Sequence, residues 1–148
     1  MKYELKAASL NDKKILYDYK TLSILDFDSM DKKEKKKVSD YIINFIDNHI
    51  NDYKLIIIEN KTIGCYCSYI KEDCIFLDEI YIEEAYRNLG MGTDLIKKEI
   101  ENAKSKKMNI ELWVYKENIK AINLYKRLNF VINTETENRY LMKLEIEK

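Results

Sequence analysis

The stretch "IYIEEAYRNLGMGTDLI", residues 80–96, carries the strongest local signal in the sequence. A strand-like run ends near Ile82, and a helical pattern starts near Gly92. Two of the chain's three glycines, Gly90 and Gly92, lie here, close to Arg87. A helix N-terminus offers free amides and a favourable dipole for anions, and glycines remove the Cβ atoms that would keep a phosphate away. The pattern predicts a phosphate or pyrophosphate cradle.

Apolar periodicity on both sides of this stretch predicts an α/β fold. The strand-like runs are residues 3–8, 53–59, 62–70, 74–82, 109–115, 130–133 and 139–147. Helices are expected after a cap at Asn11-Asp12, along the stripe from Val38 to Ile50, on Leu95 to Ala103, and over 118–128. The order β-α-α-β-β-β-α-β-α-β-β predicts a mixed, mostly antiparallel sheet flanked by four helices. No linker or repeat interrupts it, so residues 1–148 are interpreted as one domain.

Composition excludes several broad classes of protein. The 148 residues carry 26 basic and 26 acidic side chains, a formal net charge of zero that argues against a nucleic-acid partner. No apolar run approaches the roughly 20 residues of a membrane span, and the N-terminus lacks the apolar core of a signal peptide. We therefore expect a cytoplasmic protein without a nucleic-acid or membrane partner, a monomer or homodimer. Lysine, isoleucine and asparagine, whose codons are AT-rich, are heavily used, which suggests a bacterial origin.

The cysteines are expected to be reduced and structural. Cys65, Cys67 and Cys74 are odd in number, which favours free thiols in a chain without a signal peptide. A zinc site would need about four ligands, and the one histidine, His49, is distant in sequence. The sequence therefore predicts no metal site.

A second motif accompanies the glycine loop. "NIKAINLYKRLNF", residues 118–130, fits an Asn-x-x-Ala-x-x-x-Tyr-x-x-x-x-Phe pattern, and the loop fits Arg/Gln-x-x-Gly-x-Gly/Ala. Together with the element order, these motifs resemble the GNAT superfamily of acyl-CoA-dependent N-acetyltransferases. The sequence departs from the family where Glu84 replaces a common proline, and where Asn88 and Asn129 replace common glycines. Asparagine tolerates the left-handed backbone, so both turns should be retained.

The resemblance implies acetyl-CoA as co-substrate, in a cleft where the strands at 75–83 and 109–115 splay apart. The pantetheine arm would pair with the strand backbone at 80–82, and amides from Arg87 to Thr93 would hold the pyrophosphate. Asn118 would bind the pantetheine, and Lys126 or Arg127 the nucleotide phosphate. The implied cofactor-binding residues are Ile80, Tyr81, Ile82, Arg87, Asn88, Leu89, Gly90, Met91, Gly92, Thr93, Asn118 and Lys126.

The implied reaction is attack of a neutral amine on a thioester. Tyr125 matches the family's general acid, and a phenol retains its proton until a thiolate forms. Tyr125 also lies on an apolar helical stripe and fits a core-packing role. The base is Asp78, Glu79 or a water chain leading to either, and a backbone N–H near Ile82 would stabilise the oxyanion.

The predicted function is an N-acetyltransferase acting on a primary amine of a small molecule, such as a polyamine or aminoglycoside, or of a protein or peptide. The alternative is a non-catalytic acyl-CoA sensor or interaction module. The acceptor side is expected from residues 22–30, the second helix and the strand ends near Trp113 and Tyr140. The loop acids Asp26, Asp28 and Asp31 either attract a cationic amine or are solvated.

Overall fold

The predicted elements form in the predicted order. A computed structural model describes residues 2–25 and 32–147. The strands in this part of the chain are β1 (Glu4–Ala7), β2 (Tyr53–Ile58), β3 (Lys61–Lys71), β4 (Cys74–Ile82), β5 (Asn109–Tyr115), β6 (Val131–Glu135) and β7 (Arg139–Leu144). The α-helices are α1 (Lys13–Leu25), α2 (Lys32–His49), α3 (Met91–Lys106) and α4 (Ile119–Arg127).

The strands make one mixed sheet in the order β1-β2-β3-β4-β5-β7-β6. β4 and β5 are parallel, whereas β1 with β2, β2 with β3, β5 with β7 and β6 with β7 are antiparallel. The predicted fold class, a mostly antiparallel α/β sheet with four helices, is confirmed.

Two tight turns use residues with left-handed backbone. Glu59 and Asn60 (φ 48 and 65) connect β2 to β3, and Glu72 and Asp73 (φ 51 and 61) connect β3 to β4. Two-residue hairpin turns favour positive φ at both positions because this matches the twist of the strands. The second turn lies between the predicted strand-like runs 62–70 and 74–82, and the first begins one residue before the gap at 60–61 between the runs 53–59 and 62–70.

The first helix starts directly after Asn11-Asp12, as predicted, but its predicted cap is wrong, and two other helix bounds differ from the prediction by one residue. The turn leading into α1 starts at Ser9, whose backbone N–H donates to the Asp12 carboxylate at 2.8 Å, so Asn11-Asp12 is not the cap. α2 ends at His49, and Ile50 begins a 3₁₀ turn. α3 begins at Met91 rather than near Gly92, because the left-handed Gly90 is its N-cap.

Internal contacts divide the chain into two compact units. The first comprises Met1–Cys67 and Glu79–Arg87, and the second Ser68–Asp78 and Asn88–Lys148. The buried apolar side chains of the first unit include Leu16, Ile42, Ile46, Tyr53, Ile56 and Ile63, and those of the second include Leu95, Ile96, Ile110, Leu112 and Met142. The assignment of residues 1–148 to one N-acetyltransferase domain stays a prediction.

The cysteines are thiols, as predicted. Cys65 and Cys67 in β3 are fully buried, Cys74 is half-buried, and none of the three forms a disulfide. Burial raises the pKa of the Cys65 thiol well above its usual value, which favours its neutral form. Within the two described ranges, no helix combines the length and the apolar character needed to cross a bilayer.

Candidate active site

The glycine loop leads into an uncapped helix N-terminus. Asn88 and Gly90 are both left-handed, with φ of 64 and 87. The first helical hydrogen bond runs from the Asp94 N–H to the carbonyl of Gly90, the N-cap residue, at 3.0 Å. No side chain accepts a hydrogen bond from the backbone amides at this helix start. The amides at 91–93 precede that bond, so the geometry of an α-helix provides them with no intrahelical acceptor. These three amides are available to an anion.

Arg87 is bound within the entrance of the loop. Its Nε donates to the Ile82 carbonyl at 2.7 Å, and its guanidinium carbon lies 5.3 Å from the centre of the Tyr81 ring. Its backbone N–H donates to the Glu84 carbonyl at 3.2 Å. That amide is therefore engaged, and Arg87 ties the loop to the end of β4.

Asn118 is the N-cap of α4. Its Oδ1 accepts a hydrogen bond from the Ala121 amide at 3.3 Å, so part of its hydrogen-bonding capacity fixes the helix start. Lys120, on the first turn of α4, donates through Nζ to the side-chain oxygen of Asn88. Sequence reasoning missed Lys120, although its place two residues after Asn118 was a usable signal. Lys126 and Arg127 are exposed.

Tyr125 lies on α4 and is half-buried. Its ring centre is 5.7 Å from that of Phe130, and the Phe130 N–H donates to the Tyr125 carbonyl at 3.0 Å. Burial raises the pKa of Tyr125 to about 12, so the phenol is protonated at neutral pH. Asn129 is left-handed with φ 74, which confirms that asparagine retains both motif turns.

Burial alternates along the first part of β4, from Cys74 to Glu79. Ile75, Leu77 and Glu79 are buried, whereas Asp78 is half-buried and accepts a hydrogen bond from the Tyr69 hydroxyl at 2.9 Å. The ladder between β4 and β5 joins Cys74–Phe76 to Asn109–Glu111, while β4 continues to Ile82. The later residues of β4 therefore lie beyond that ladder, where their backbone is suited to pair with an extended ligand.

Glu79 belongs to a buried charged cluster that the sequence analysis did not predict. Its Oε1 accepts a hydrogen bond from the Tyr53 hydroxyl at 2.7 Å and lies 3.6 Å from Lys20 Nζ. The same ammonium lies 4.0 Å from the centre of the Phe45 ring. Both Lys20 and Glu79 are only 6% exposed. The ammonium and the phenol stabilise the negative charge of Glu79 where water does not reach it.

The third glycine, Gly64 in β3, permits a close approach of two backbones. A Cβ atom at Gly64 would lie 2.2 Å from the Tyr81 carbonyl oxygen and 3.1 Å from the Ile82 Cα. No side chain fits at that distance, so glycine is required for steric reasons. The signal in the sequence was an isolated glycine within a strand pattern.

An aromatic and acidic cluster follows the end of β4. Glu83 is half-buried, and its Oε2 accepts a hydrogen bond from the Tyr19 hydroxyl at 2.6 Å. The Tyr19 ring stacks on Tyr81 at 4.9 Å between centres. Burial, followed by the neighbouring Glu83 carboxylate, raises the pKa of Tyr19. Tyr19 is thus a hydrogen-bond donor at any physiological pH.

The predicted acceptor walls are only partly described. Asp26, Phe27, Asp28 and Asp31 lie outside the described residues. Trp113 is covered by the Arg139 guanidinium, 4.7 Å from the ring centre, and Tyr140 by Lys116 at 5.2 Å. These cations would attract anionic rather than cationic groups to the two rings.

The chain belongs to the acetyltransferase (GNAT) family, whose profile matches residues 19–130. It is 35% identical over 112 residues to an uncharacterized N-acetyltransferase of Methanocaldococcus jannaschii; the alignment covers 70% of this chain and 50% of that protein. It is 39% identical over 74 residues to mouse thialysine N-epsilon-acetyltransferase, covering 49% and 44% of the two chains. The chain thus spans about half the length of the curated relatives it matches.

The fold agrees with a solved structure along almost its whole length. The PaiA N-acetyltransferase of Thermoplasma acidophilum, crystallised with coenzyme A, superposes with a TM-score of 0.79 over 98% of this chain and 99% of that chain. The two sequences are 14% identical, so this likeness establishes the fold alone. The family predicted from the two motifs is confirmed.

Proposed function

We propose that this protein is an N-acetyltransferase that moves an acetyl group from acetyl-CoA to a primary amine. The observation that carries the proposal is the left-handed turn at Asn88 and Gly90, which leaves the amides at 91–93 uncapped at the start of α3. Family membership and the CoA complex of a protein with the same fold support it. The name of the mouse relative specifies an ε-amino acceptor, which supports a primary amine here.

Different segments of the chain bind different parts of acetyl-CoA in this proposal. The pantetheine arm pairs with the backbone at 80–82, beyond the ladder that β4 makes with β5. The pyrophosphate binds within the loop at 87–93, with the amides at 91–93 as the principal donors because the Arg87 amide is already engaged. Asn118 contacts the pantetheine with the amide group that its N-cap bond leaves over, and Lys126 supplies charge to the nucleotide.

Tyr125 is assigned as the general acid. Its pKa of about 12 keeps the proton on the phenol until the departing thiolate, a stronger base than the thioester sulfur, can accept it. The backbone N–H near Ile82 stabilises the oxyanion of the tetrahedral intermediate. The amine nitrogen then loses its proton and the carbon–sulfur bond breaks, giving the amide and free coenzyme A.

Of the two candidate bases, the proposal favours Asp78. Glu79 is buried, and its charge is already balanced by Lys20 and Tyr53, so it has little access to an incoming amine. Asp78 is half-buried and is therefore more accessible than Glu79, and its carboxylate accepts a hydrogen bond from the Tyr69 hydroxyl. Glu79 is then a positioning residue that fixes β4 beneath α1. Parallel pH–rate profiles of Asp78→Asn and Glu79→Gln test the choice: only the base should lose the acidic limb of kcat/KM.

The variant Gly92→Val tests the proposed pyrophosphate-binding loop at residues 87–93. A branched Cβ on the second residue of α3 would crowd the phosphate-binding amides, so we expect acetyl-CoA affinity to fall by about 100-fold or more, the loss of two or more charged hydrogen bonds. Isothermal titration calorimetry provides the measurement, and an unchanged circular dichroism spectrum verifies folding. Lys97→Val, on an exposed turn of α3, introduces the same side chain away from the loop and should bind normally.

Two results would contradict parts of the proposal. Equal affinity of folded Gly92→Val and wild type would exclude the cradle. Tight acetyl-CoA binding without transfer to any of a broad panel of amines would instead favour the non-catalytic sensor.

A further inference from the structure

Lys120 links the first turn of α4 to the glycine loop that precedes α3. Its Nζ donates a hydrogen bond to the side-chain oxygen of Asn88, whose backbone is left-handed with φ 64. Within residues 2–25 and 32–147, no carboxylate oxygen lies within 4.0 Å of the Lys120 ammonium. Asn88 is neutral, so Lys120 brings to the loop a positive charge that no carboxylate of the described chain pairs with.

The bond uses a side chain that the loop motif does not require. Asn88 stands where the motif commonly has glycine, and a glycine would adopt the same left-handed backbone. A glycine has no side-chain oxygen, however, and would leave the Lys120 ammonium without this acceptor. The asparagine therefore does more than retain the turn: it holds a cation beside the loop.

Both ends of this contact are fixed by their own elements. Asn118 is the N-cap of α4, and its Oδ1 accepts a hydrogen bond from the Ala121 amide at 3.3 Å, which fixes the turn that carries Lys120. On the other side, Asn88 lies two residues before Gly90, the left-handed N-cap of α3. The ammonium is thus held near the start of α3 before any ligand binds. Such preorganisation lowers the entropy that binding must overcome.

The position of Lys120 along α4 is unfavourable unless an anion is nearby. Lys120 is the second residue of the helix, where the macrodipole disfavours a cation. Lys126 and Arg127 lie at the favourable end, about 9 Å further along the helix axis. In the described part of the chain, neither of these two residues forms a hydrogen bond or an ion pair with the loop. Of the basic residues of α4, Lys120 is the one in contact with the loop.

We propose that Lys120 binds the pyrophosphate of acetyl-CoA, and that Asn88 positions its ammonium for this before the cofactor arrives. An ammonium has three N–H donors, so Lys120 can keep its bond to Asn88 and direct the others to phosphate oxygens. Hydrogen bonds between two charged groups are stronger than a bond to a neutral amide. The inference rests on the proposed function, because it takes acetyl-CoA as the ligand.

Calorimetry with coenzyme A and with dephospho-coenzyme A, which has the pyrophosphate but lacks the 3′-phosphate, tests the assignment. Lys120→Met should weaken binding of both ligands by about 10-fold or more, the loss of one charged hydrogen bond. Lys120→Arg keeps the charge and should restore most of the affinity. Lys97→Met, which removes an exposed lysine of α3, should bind like wild type. The affinity of wild type should also fall more steeply with added salt than that of Lys120→Met.

Two substitutions of Asn88 separate phosphate binding from a purely structural contact. Asn88→Gly keeps the turn but removes the acceptor oxygen, so it should weaken binding by about threefold in wild type and have no further effect in Lys120→Met. Asn88→Asp keeps an oxygen for Lys120 but adds a negative charge beside the phosphate, so it should weaken binding more than Asn88→Gly. A purely structural contact would be strengthened by the aspartate.

Equal affinity of folded Lys120→Met and wild type would overturn the proposal, and so would wild-type affinity in Asn88→Asp. A loss seen with coenzyme A but absent with dephospho-coenzyme A would assign Lys120 to the 3′-phosphate instead and overturn the pyrophosphate site. Circular dichroism verifies the folding of each variant. If binding depends on Lys120 but no amine is acetylated, the proposed function fails and this inference stands; wild type that binds neither ligand excludes both.

Discussion

At the residue scale, the three glycines have different physical roles. Gly64 is buried in β3 and cannot carry a Cβ, because that atom would lie 2.2 Å from the Tyr81 carbonyl. Gly90 has no heavy atom within 4 Å of its Cβ position, and its requirement is the left-handed backbone at φ 87. Gly92 is the second residue of α3, and its proposed role is to leave room for a phosphate at the helix start.

These roles predict that asparagine has different effects on stability at positions 64 and 90. Gly64→Ala and Gly64→Asn should both lower the free energy of unfolding by about 1–3 kcal/mol or more, since backbone must move to admit any Cβ. Gly90→Ala should cost about 1 kcal/mol because of its positive φ, and Gly90→Asn should cost less, because asparagine tolerates this conformation. Urea denaturation measures all four. An asparagine that restores stability at position 64, or fails to do so at 90, would contradict the assignments.

Single residues also show where sequence reasoning stops. Asn88 and Asn129 were predicted to be left-handed because they replace glycines that are common in the two family motifs, and both are left-handed. Lys20 and Glu99 were not predicted to be buried, although each follows a buried apolar residue by one helical turn, Leu16 and Leu95 respectively. A charged residue on the apolar face of a helix is a sequence signal for a buried charge. Whether it is buried depends on a partner from another element, such as Glu79 for Lys20, and periodicity does not reveal partners.

At the element scale, two ion pairs of α1 differ in environment. Lys20 and Glu79 connect α1 to β4 at 3.6 Å with side chains 8% and 4% exposed, whereas Lys13 and Asp47 connect α1 to α2 at 2.7 Å with side chains 41% and 50% exposed. The shorter pair is the weaker one, because exposed ion pairs are solvated in either state. Removing one member of a buried pair leaves an uncompensated charge.

Lys20→Met should therefore lower the free energy of unfolding by about 3 kcal/mol, whereas Lys13→Met should cost about 0–1 kcal/mol. Adding Glu79→Gln to Lys20→Met should recover a large part of the loss, since no charge then remains buried. Urea denaturation of wild type and these three variants provides the comparison. Equal losses for Lys20→Met and Lys13→Met would show that the buried pair is not coupled as described.

Other features of the elements depend on local hydrogen bonds that apolar periodicity does not reveal. The opposite environments of Asp78 and Glu79 follow from strand periodicity, but the alternation of burial ends there, because Ile80, Tyr81 and Ile82 are all half-buried. The turn that leads into α1 could not be predicted from the sequence pattern, because Ser9 and Asp12 form their hydrogen bond within a 3₁₀ turn that has no apolar periodicity. The engaged Arg87 amide likewise depends on a local turn at residues 84–86 that the loop motif does not encode.

At the scale of the whole molecule, the order of elements and the family were predictable because the two motifs and the apolar periods agree with each other. The identity of the amine acceptor could not be predicted, because the residues expected to contact it are scattered along the chain, and those at 26–31 lie outside the described part.

The central claim is acetyl transfer to an amine with Tyr125 as the acid. The most direct test compares wild type with Tyr125→Phe in two measurements. The first is the rate of coenzyme A release at about pH 7.5 with the best amine acceptor, and the second is the affinity for acetyl-CoA, measured by calorimetry. We predict that Tyr125→Phe lowers kcat by about 10²–10⁴-fold and leaves acetyl-CoA affinity within about twofold, because the phenol acts on the departing thiolate and not on binding. Amine-dependent turnover near the wild-type value in Tyr125→Phe would contradict the account and assign Tyr125 to packing against Phe130.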